Sequence, residues 1–433
     1  MNLFGTMKKN QNGNLEIGNC DVVYLSKEYG TPLYVVDEEL VRRNCRVFND
    51  NFKGKGIETE VIYASKAFLN LAICKVIEEE GLSLDVVSGG ELYTAIRSKF
   101  PLSRVYMHGN NKTEEELRLA IESGIGRIVV DNRDELDLIE YLCNELDKKI
   151  EVLLRVNPGV DAHTHEYIQT SKNDSKFGES IFSEDIYEVV RKFMNSERVT
   201  LRGFHCHIGS QIFQETSFYM SVSVMVDFIS KIKEKCDFIT RELNMGGGFG
   251  VYYSDGDVPI ELSNFLNNMV ISIKEECEKH NLLIPKIMIE PGRSIIANAG
   301  TTLYKVGGTK KTYGDKNYIF VDGGMTDNIR TALYDAKYEA VVANKFDNKE
   351  KIEYTIAGKC CESGDIIVKD IMLPKVERND ILAVLSTGAY NYSMASNYNR
   401  IPRPAVVFVR DGIARIAVKR ESYEDILKND VMF

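Results

Sequence analysis

No stretch of the sequence concentrates basic residues, and 64 Asp and Glu against 54 Lys and Arg leave a formal charge of -10. That excludes a nucleic-acid surface, which needs a concentrated positive face. No apolar run reaches the length that spans a bilayer, so no membrane segment is expected. The opening MNLFGTMKKNQNGN lacks the apolar core of a secretory signal. The nine cysteines are odd in number and never spaced as CxxC. They read as reduced thiols in a cytoplasm rather than as a disulfide framework. Low-complexity tracts and sequence repeats are absent too. What is present is ordinary for a globular protein: 433 residues, 44% hydrophobic and 27% charged. That length allows two or three domains and a sizeable core.

From residue 60 to 290, short apolar runs alternate with helical stretches. The runs are EVIYAS (60–65), LSLDVV (82–87), RVYMHG (104–109), GRIVVD (126–131), EVLLRV (151–156), LRGFHCH (201–207), ELNMG (242–246) and KIMIE (286–290). Helices are expected between them. In KTEEELRLAIESG, Thr113 and Glu116 have the spacing of a capping box and Gly124 supplies the stop. DNRDELDLIEYL and SEDIYEVVRKFM have the same periodicity. Eight strand–helix units in series suggest a (β/α)8 TIM barrel, with an open doubly wound sheet as the alternative. After about residue 300 the chain becomes β-rich and turn-separated, a second, C-terminal all-β domain. The expected division is a barrel over 39–296 and a β domain over 297–433. The opening forty residues, with VVYLSKEYGTPLYVVDEE, could contribute strands to the β domain, to which the N-terminal segment 1–38 is assigned.

In such a barrel the chemistry sits at the C-terminal strand ends. The eight ends carry Lys66; Asp85 and Ser88; His108; Asp131; Arg155 and Asn157; His205 and His207; GGGFG; and Glu290 with PGR. Each alone has a plain reading. Lys66 could be a rim residue whose ammonium reaches water, or an amine that holds an aldehyde cofactor as a Schiff base. HCH (205–207) places two histidines on one face of a strand, but no third ligand stands at a recognisable spacing, so no metal is expected. GGGFG could be a tight turn or a nest of N–H groups for a phosphate. EPGR could be a surface ion pair, or a site for a protonated ring nitrogen and an anion. All eight ends being reactive is the stronger signal.

Taken together, YASKA around Lys66, HCHIGSQ, NMGGGFG, EPGRSIIANAG, CESGD and GAYNYSMASNYN, in this order, resemble the pyridoxal-phosphate-dependent fold-type III decarboxylases. The resemblance covers essentially the whole chain. It implies pyridoxal 5'-phosphate as cofactor, held by Lys66, with His207 stacked on its ring. Ser210, Gly246, Gly247 and Gly248 would bind the phosphate, with Tyr390 closing over it. Glu290, in the motif with Pro291, Gly292 and Arg293, would pair with the ring nitrogen. Cys361, rather than its neighbour Cys360, would be the general acid. Arg293, Arg330 and Tyr334 match positions for a distal substrate carboxylate, and Glu362 matches the partner of a distal ammonium. The implied substrate is a small amino acid with a second amino-acid group at its far end. HTHEYIQTSKNDSKFG (163–178) resembles the substrate-side loop, with Ser171 where glycine is common. NRIPRP (399–404) departs from the usual NSRPRP. The family also implies a homodimer with shared active sites, the CESGD loop of one subunit entering the partner's barrel.

Related decarboxylases of ornithine, arginine or carboxynorspermidine are the nearest alternatives. For the basic amino acids, Arg330 with Tyr334 argues against them, since those substrates carry no distal carboxylate. An amino-acid racemase would place arginine, not Glu290, at the ring nitrogen. A non-catalytic pyridoxal-phosphate carrier would usually lack the β domain, and a degenerate regulator should have lost Lys66 or Cys361.

Overall fold

The computed structural model describes residues 2–160, 175–346 and 351–433. The chain divides into two compact units, one of Cys45–Gly250 and Val258–Arg293, the other of Met1–Asn44, Val251–Asp257 and Ser294–Phe433.

In the first unit eight strands alternate with helices. They are β1 (Thr59–Ala64), β2 (Ser83–Val86), β3 (Val105–Met107), β4 (Arg127–Val130), β5 (Ile150–Asn157), β6 (Val199–His205), β7 (Glu242–Asn244) and β8 (Lys286–Ile289). Successive strands pair in parallel, and β8 pairs back onto β1 with Ile289 opposite Val61, which closes the barrel. Each of the eight apolar runs forms one strand, and the TIM barrel expected from their alternation is the observed fold. The strands read as near-continuous apolar runs because helices cover the outer face while side chains fill the inside. Ile62, Tyr106, Val129, Leu153 and Met288 make one buried cluster from five different strands. Below it, at the N-terminal strand ends, Glu60 accepts the Tyr106 hydroxyl at 2.8 Å and pairs with Lys286 at 2.6 Å. Arg127 grips Glu242 with two N–H groups at 2.9 and 2.6 Å. These polar groups satisfy one another and close the floor.

The helix Glu114–Ser123 carries the expected capping box of Thr113 and Glu116, and Gly124 ends it at φ 69°. A left-handed residue there turns the chain at little cost only because it lacks a Cβ.

In the second unit the long strand Gly300–Lys311 pairs antiparallel with Asn317–Val321, Ile381–Val384 and Leu33–Asp37. Leu33–Asp37 also pairs in parallel with Ala405–Arg410, whose hairpin partner is Ile413–Val418. Leu33–Asp37 joins the sheet, but Val22–Tyr29 is a helix. The Asp21 carboxylate accepts the N–H groups of Val23 and Tyr24 at 2.8 and 3.3 Å, and Val22, Leu25 and Ser26 are buried at helical spacing. An N-cap with a helical apolar face outweighs the strand preference of two adjacent valines. Among the described residues, no helix is long and apolar enough to cross a membrane.

Candidate active site

Lys66 lies in a single 3-10 turn, Ser65–Ala67, that follows β1. Its neighbours are buried while its own side chain is exposed. The turn is pinned from two sides. The Ser65 N–H donates to Asp85 Oδ1 at 3.0 Å, and the Ser65 hydroxyl donates to Glu91 Oε2 at 2.9 Å. Behind it, Ala64 N–H donates to the Pro291 carbonyl at 3.0 Å. Gly292 packs so close that a Cβ would stand 2.8 Å from the Ala64 methyl. The PG of EPGR is therefore part of the lysine's seat.

Asp85 is buried, and burial pushes its carboxyl up to about 7, although His108 and Lys66 pull it back. A carboxyl whose folded value lies above the ordinary ~3.9 binds its proton more tightly in the folded state. Its contribution therefore favours folding at low pH and is lost as pH rises toward 7. Asp85→Asn is expected to raise the melting temperature more at about pH 8 than at about pH 5. Equal shifts in paired thermal melts would overturn that assignment.

Glu290, just beyond β8, is the electrostatic centre of the barrel mouth. Its Oε1 lies 3.0 Å from His108 Nε2 and accepts Asn244 Nδ2 at 2.7 Å, while its Oε2 lies 3.0 Å from His205 Nε2. Burial by itself would raise this carboxyl, but His108 and His205 overcome it and hold Glu290 well below the usual range. Burial pushes His205 down to about 4, so a neutral imidazole donates to an anionic carboxylate. The ligating atoms of His108, His205 and Glu290 lie within 4.8 Å of one another. His205 thus has the neighbours that chain spacing did not reveal, contributed by the residues just after β3 and β8. The 3.0 Å separation of His205 Nε2 from Oε2 is that of an N–H···O bond, whereas His108 Nε2 stands at the same distance from Oε1 without hydrogen-bond geometry.

His207 takes a different course. Its Nδ1 accepts the Gly247 N–H at 3.1 Å, which leaves the proton on Nε2. Burial first, then the charges of Lys66 and Arg155, push it well below its ordinary value, so the ring is neutral. Asn244 Oδ1 accepts the Gly246 N–H at 2.9 Å, coupling the glycine turn to Glu290. Gly246 has φ 70°, and a Cβ there would meet the Cys206 carbonyl at 2.4 Å and His207 Nδ1 at 2.8 Å. Beside this turn, Arg293 donates to the Ser210 hydroxyl at 2.9 and 3.3 Å.

These residues fit pyridoxal phosphate. An exposed amine stands at the barrel mouth beside a flat neutral imidazole. A glycine turn too crowded for any side chain presents its backbone, next to a Ser–Arg pair suited to an anion. A buried carboxylate is kept ionised and retains a lone pair for a ring N–H.

The other candidate residues belong to the second unit. Arg330 is buried and donates to the Tyr338 hydroxyl at 2.6 Å. Its guanidinium lies 5.1, 5.9 and 5.8 Å from the ring centres of Tyr253, Tyr334 and Tyr338. Among the described residues no carboxylate pairs with it. Tyr390 holds φ 64°, a left-handed conformation that bulky side chains rarely adopt. Cys361 is the exposed thiol of the nine, whereas Cys360 is buried and pushed up to about 11 by burial. Glu362 is exposed, and its Oε1 accepts the Gly364 N–H at 3.3 Å. Most of the loop 163–178, Ser171 included, lies outside the described residues.

Sequence reasoning missed Asn244, Tyr253 and Tyr338. Asn244 had a usable signal, a polar residue ending an apolar run before three glycines. Tyr253 had none.

The family described as pyridoxal-dependent decarboxylase, pyridoxal binding domain, matches residues 38–297. The diaminopimelate decarboxylase of Bacillus subtilis (strain 168) is 51% identical over 433 residues, covering 100% of this chain and 99% of that protein. That of Staphylococcus aureus (strain COL) is 45% identical over 426 residues, covering 98% and 99%. Among solved structures, diaminopimelate decarboxylase from M. jannaschii in complex with L-lysine is similar with a TM-score of 0.92 at 34% identity, covering 99% of this chain and 98% of that one. Lysine at a barrel mouth, ionised Glu290, glycine turn and full-length similarity agree: the chain belongs to the pyridoxal-dependent decarboxylases and, within them, to the diaminopimelate decarboxylase family.

Proposed function

We infer that this chain removes one carboxylate of meso-2,6-diaminopimelate as carbon dioxide and leaves L-lysine, the last step of lysine synthesis, with pyridoxal phosphate as cofactor. The observation that carries the choice of substrate is Arg330. A buried guanidinium enclosed by tyrosines, with no carboxylate among the described residues, is costly unless a ligand supplies the anion. Diaminopimelate brings a distal carboxylate; ornithine and arginine bring none.

When bound, pyridoxal phosphate supplies a sink for the electron pair released as the bond to the carboxylate breaks. The protein does the rest. Lys66 would be the covalent anchor, and Glu290 would keep a proton on the ring nitrogen. His207 would lie against the ring and keep water from it. Gly246–Gly248, Ser210, Arg293 and Tyr390 would hold the phosphate. Arg330, Arg293 and Tyr334 orient the distal carboxylate, and Glu362 meets the distal ammonium. Cys361 Sγ delivers a proton to the carbon that lost its carboxylate.

The catalytic barrel spans 39–296 in this reading, with 1–38 and 297–433 forming the β domain. The assembly is an isologous homodimer in which each site takes Lys66 from one subunit and the partner's Cys361 and Glu362. Nine cysteines with no disulfide between them among the described residues support a reducing, cytoplasmic setting.

Incubation with meso-diaminopimelate and pyridoxal phosphate should release lysine and carbon dioxide in equal amounts. Preferential turnover of ornithine or arginine would overturn the reading. Arg330→Ala should lower kcat/KM for diaminopimelate about ten- to a hundredfold, the loss of one charge-assisted partner. The visible absorbance of the bound cofactor should stay nearly unchanged.

A further inference from the structure

We propose that Asn399 is a positioning residue for the proton donor: its side-chain carbonyl holds the backbone of Cys361 and so sets where the thiol points. The inference rests on the reading of Cys361 as that donor.

Two consecutive amides of the CESGD loop are gripped by side chains. Cys360 N–H donates to Asp365 Oδ2 at 2.7 Å, and Cys361 N–H donates to Asn399 Oδ1 at 2.7 Å. Asp365 belongs to the motif itself and also accepts the Met325 N–H at 2.6 Å. Asn399 lies 38 positions away, in NRIPRP. The loop is held on either side of the thiol, by Asp365 and by the Lys359 N–H on the Gly323 carbonyl, and fixing the Cys361 amide as well narrows the orientations that the exposed thiol samples.

Asn399 is itself held in an unusual conformation. It has φ 52° and ψ 23°, and Arg400 follows at φ 57°. Asparagine tolerates the left-handed region better than other residues with a Cβ, but two such residues in succession need outside support. The C-terminal segment supplies it. The Arg400 guanidinium meets Asp430 at 2.6 Å and the Ile426 carbonyl at 3.4 Å. Asn397 Nδ2 donates to the Ile401 carbonyl at 3.0 Å and to Glu421 at 2.7 Å. The donor loop, NRIPRP and the chain end are thus linked in one hydrogen-bonded series.

Asn399→Gly and Asn399→Asp separate the roles on the holoenzyme. Glycine keeps the left-handed backbone and removes the acceptor; aspartate keeps an acceptor and adds a charge. In Asn399→Gly, kcat should fall about five- to tenfold with KM nearly unchanged. Asn399→Asp should recover most of that loss. Its carboxylate should also raise the pH midpoint for iodoacetamide alkylation of Cys361, read by peptide mass spectrometry, and move the alkaline limb of the kcat profile the same way. Wild-type kcat in Asn399→Gly, with Cys361→Ala inactive, would overturn the positioning role. So would an unchanged alkylation midpoint in Asn399→Asp, a readout that needs no turnover. Full activity of Cys361→Ala would instead overturn the donor reading beneath it.

Discussion

Lys66→Ala is expected to lose on the order of 10³-fold or more in kcat and to lose the covalent cofactor with it. The expectation follows from where the amine stands. Ser65 is tied to Asp85 and Glu91, and Ala64 to Pro291, so the turn delivers one side chain to the barrel mouth. No neighbouring lysine shares that turn. Borohydride reduction of the wild-type holoenzyme should fix a pyridoxyl group to the peptide containing Lys66. In the variant that label should vanish while the fold, read by its melting curve, persists. A label on any other lysine peptide would displace Lys66 from its role.

The second large effect is a recovery. Lys66→Ala and Cys361→Ala should each be nearly inactive, yet mixing them under subunit exchange should restore activity. The proposed homodimer builds each site from the lysine of one subunit and the partner's Cys361. In a mixed dimer one site carries both lesions and the other carries neither. With random pairing half the dimers are mixed and half their sites are intact, so about a quarter of wild-type activity should return. A tag on one chain verifies exchange. Exchange without recovery would mean that each subunit completes its own site.

The parts of this protein that were legible beforehand are those written in neighbouring residues. Thr113, Glu116 and Gly124 mark both ends of one helix within a dozen positions, because caps act on backbone groups one turn away. The eight apolar runs were countable because a strand covered on both faces needs apolar side chains throughout. Val22–Tyr29 is set just as locally: the Asp21 cap and a buried helical face make it a helix in spite of two adjacent valines.

By itself the sequence determined the barrel, the β-rich second unit and the set of reactive side chains at the strand ends. Periodicity, caps and motifs are local properties that survive as a string. Only the tertiary structure decided which of those side chains meet. Glu290 takes its donors from His205, 85 positions away, and from Asn244, 46 away, with the His108 ring set close beside it. Arg330 finds its box in Tyr253 and Tyr338, and the Cys361 amide finds Asn399. The pairs at Glu290 depend on the register with which β8 closes onto β1, and those of the second unit on how its own strands and loops fold back. No spacing along the chain encodes that register; it is set when buried carboxylates, guanidinium groups and amides must each find a partner away from water.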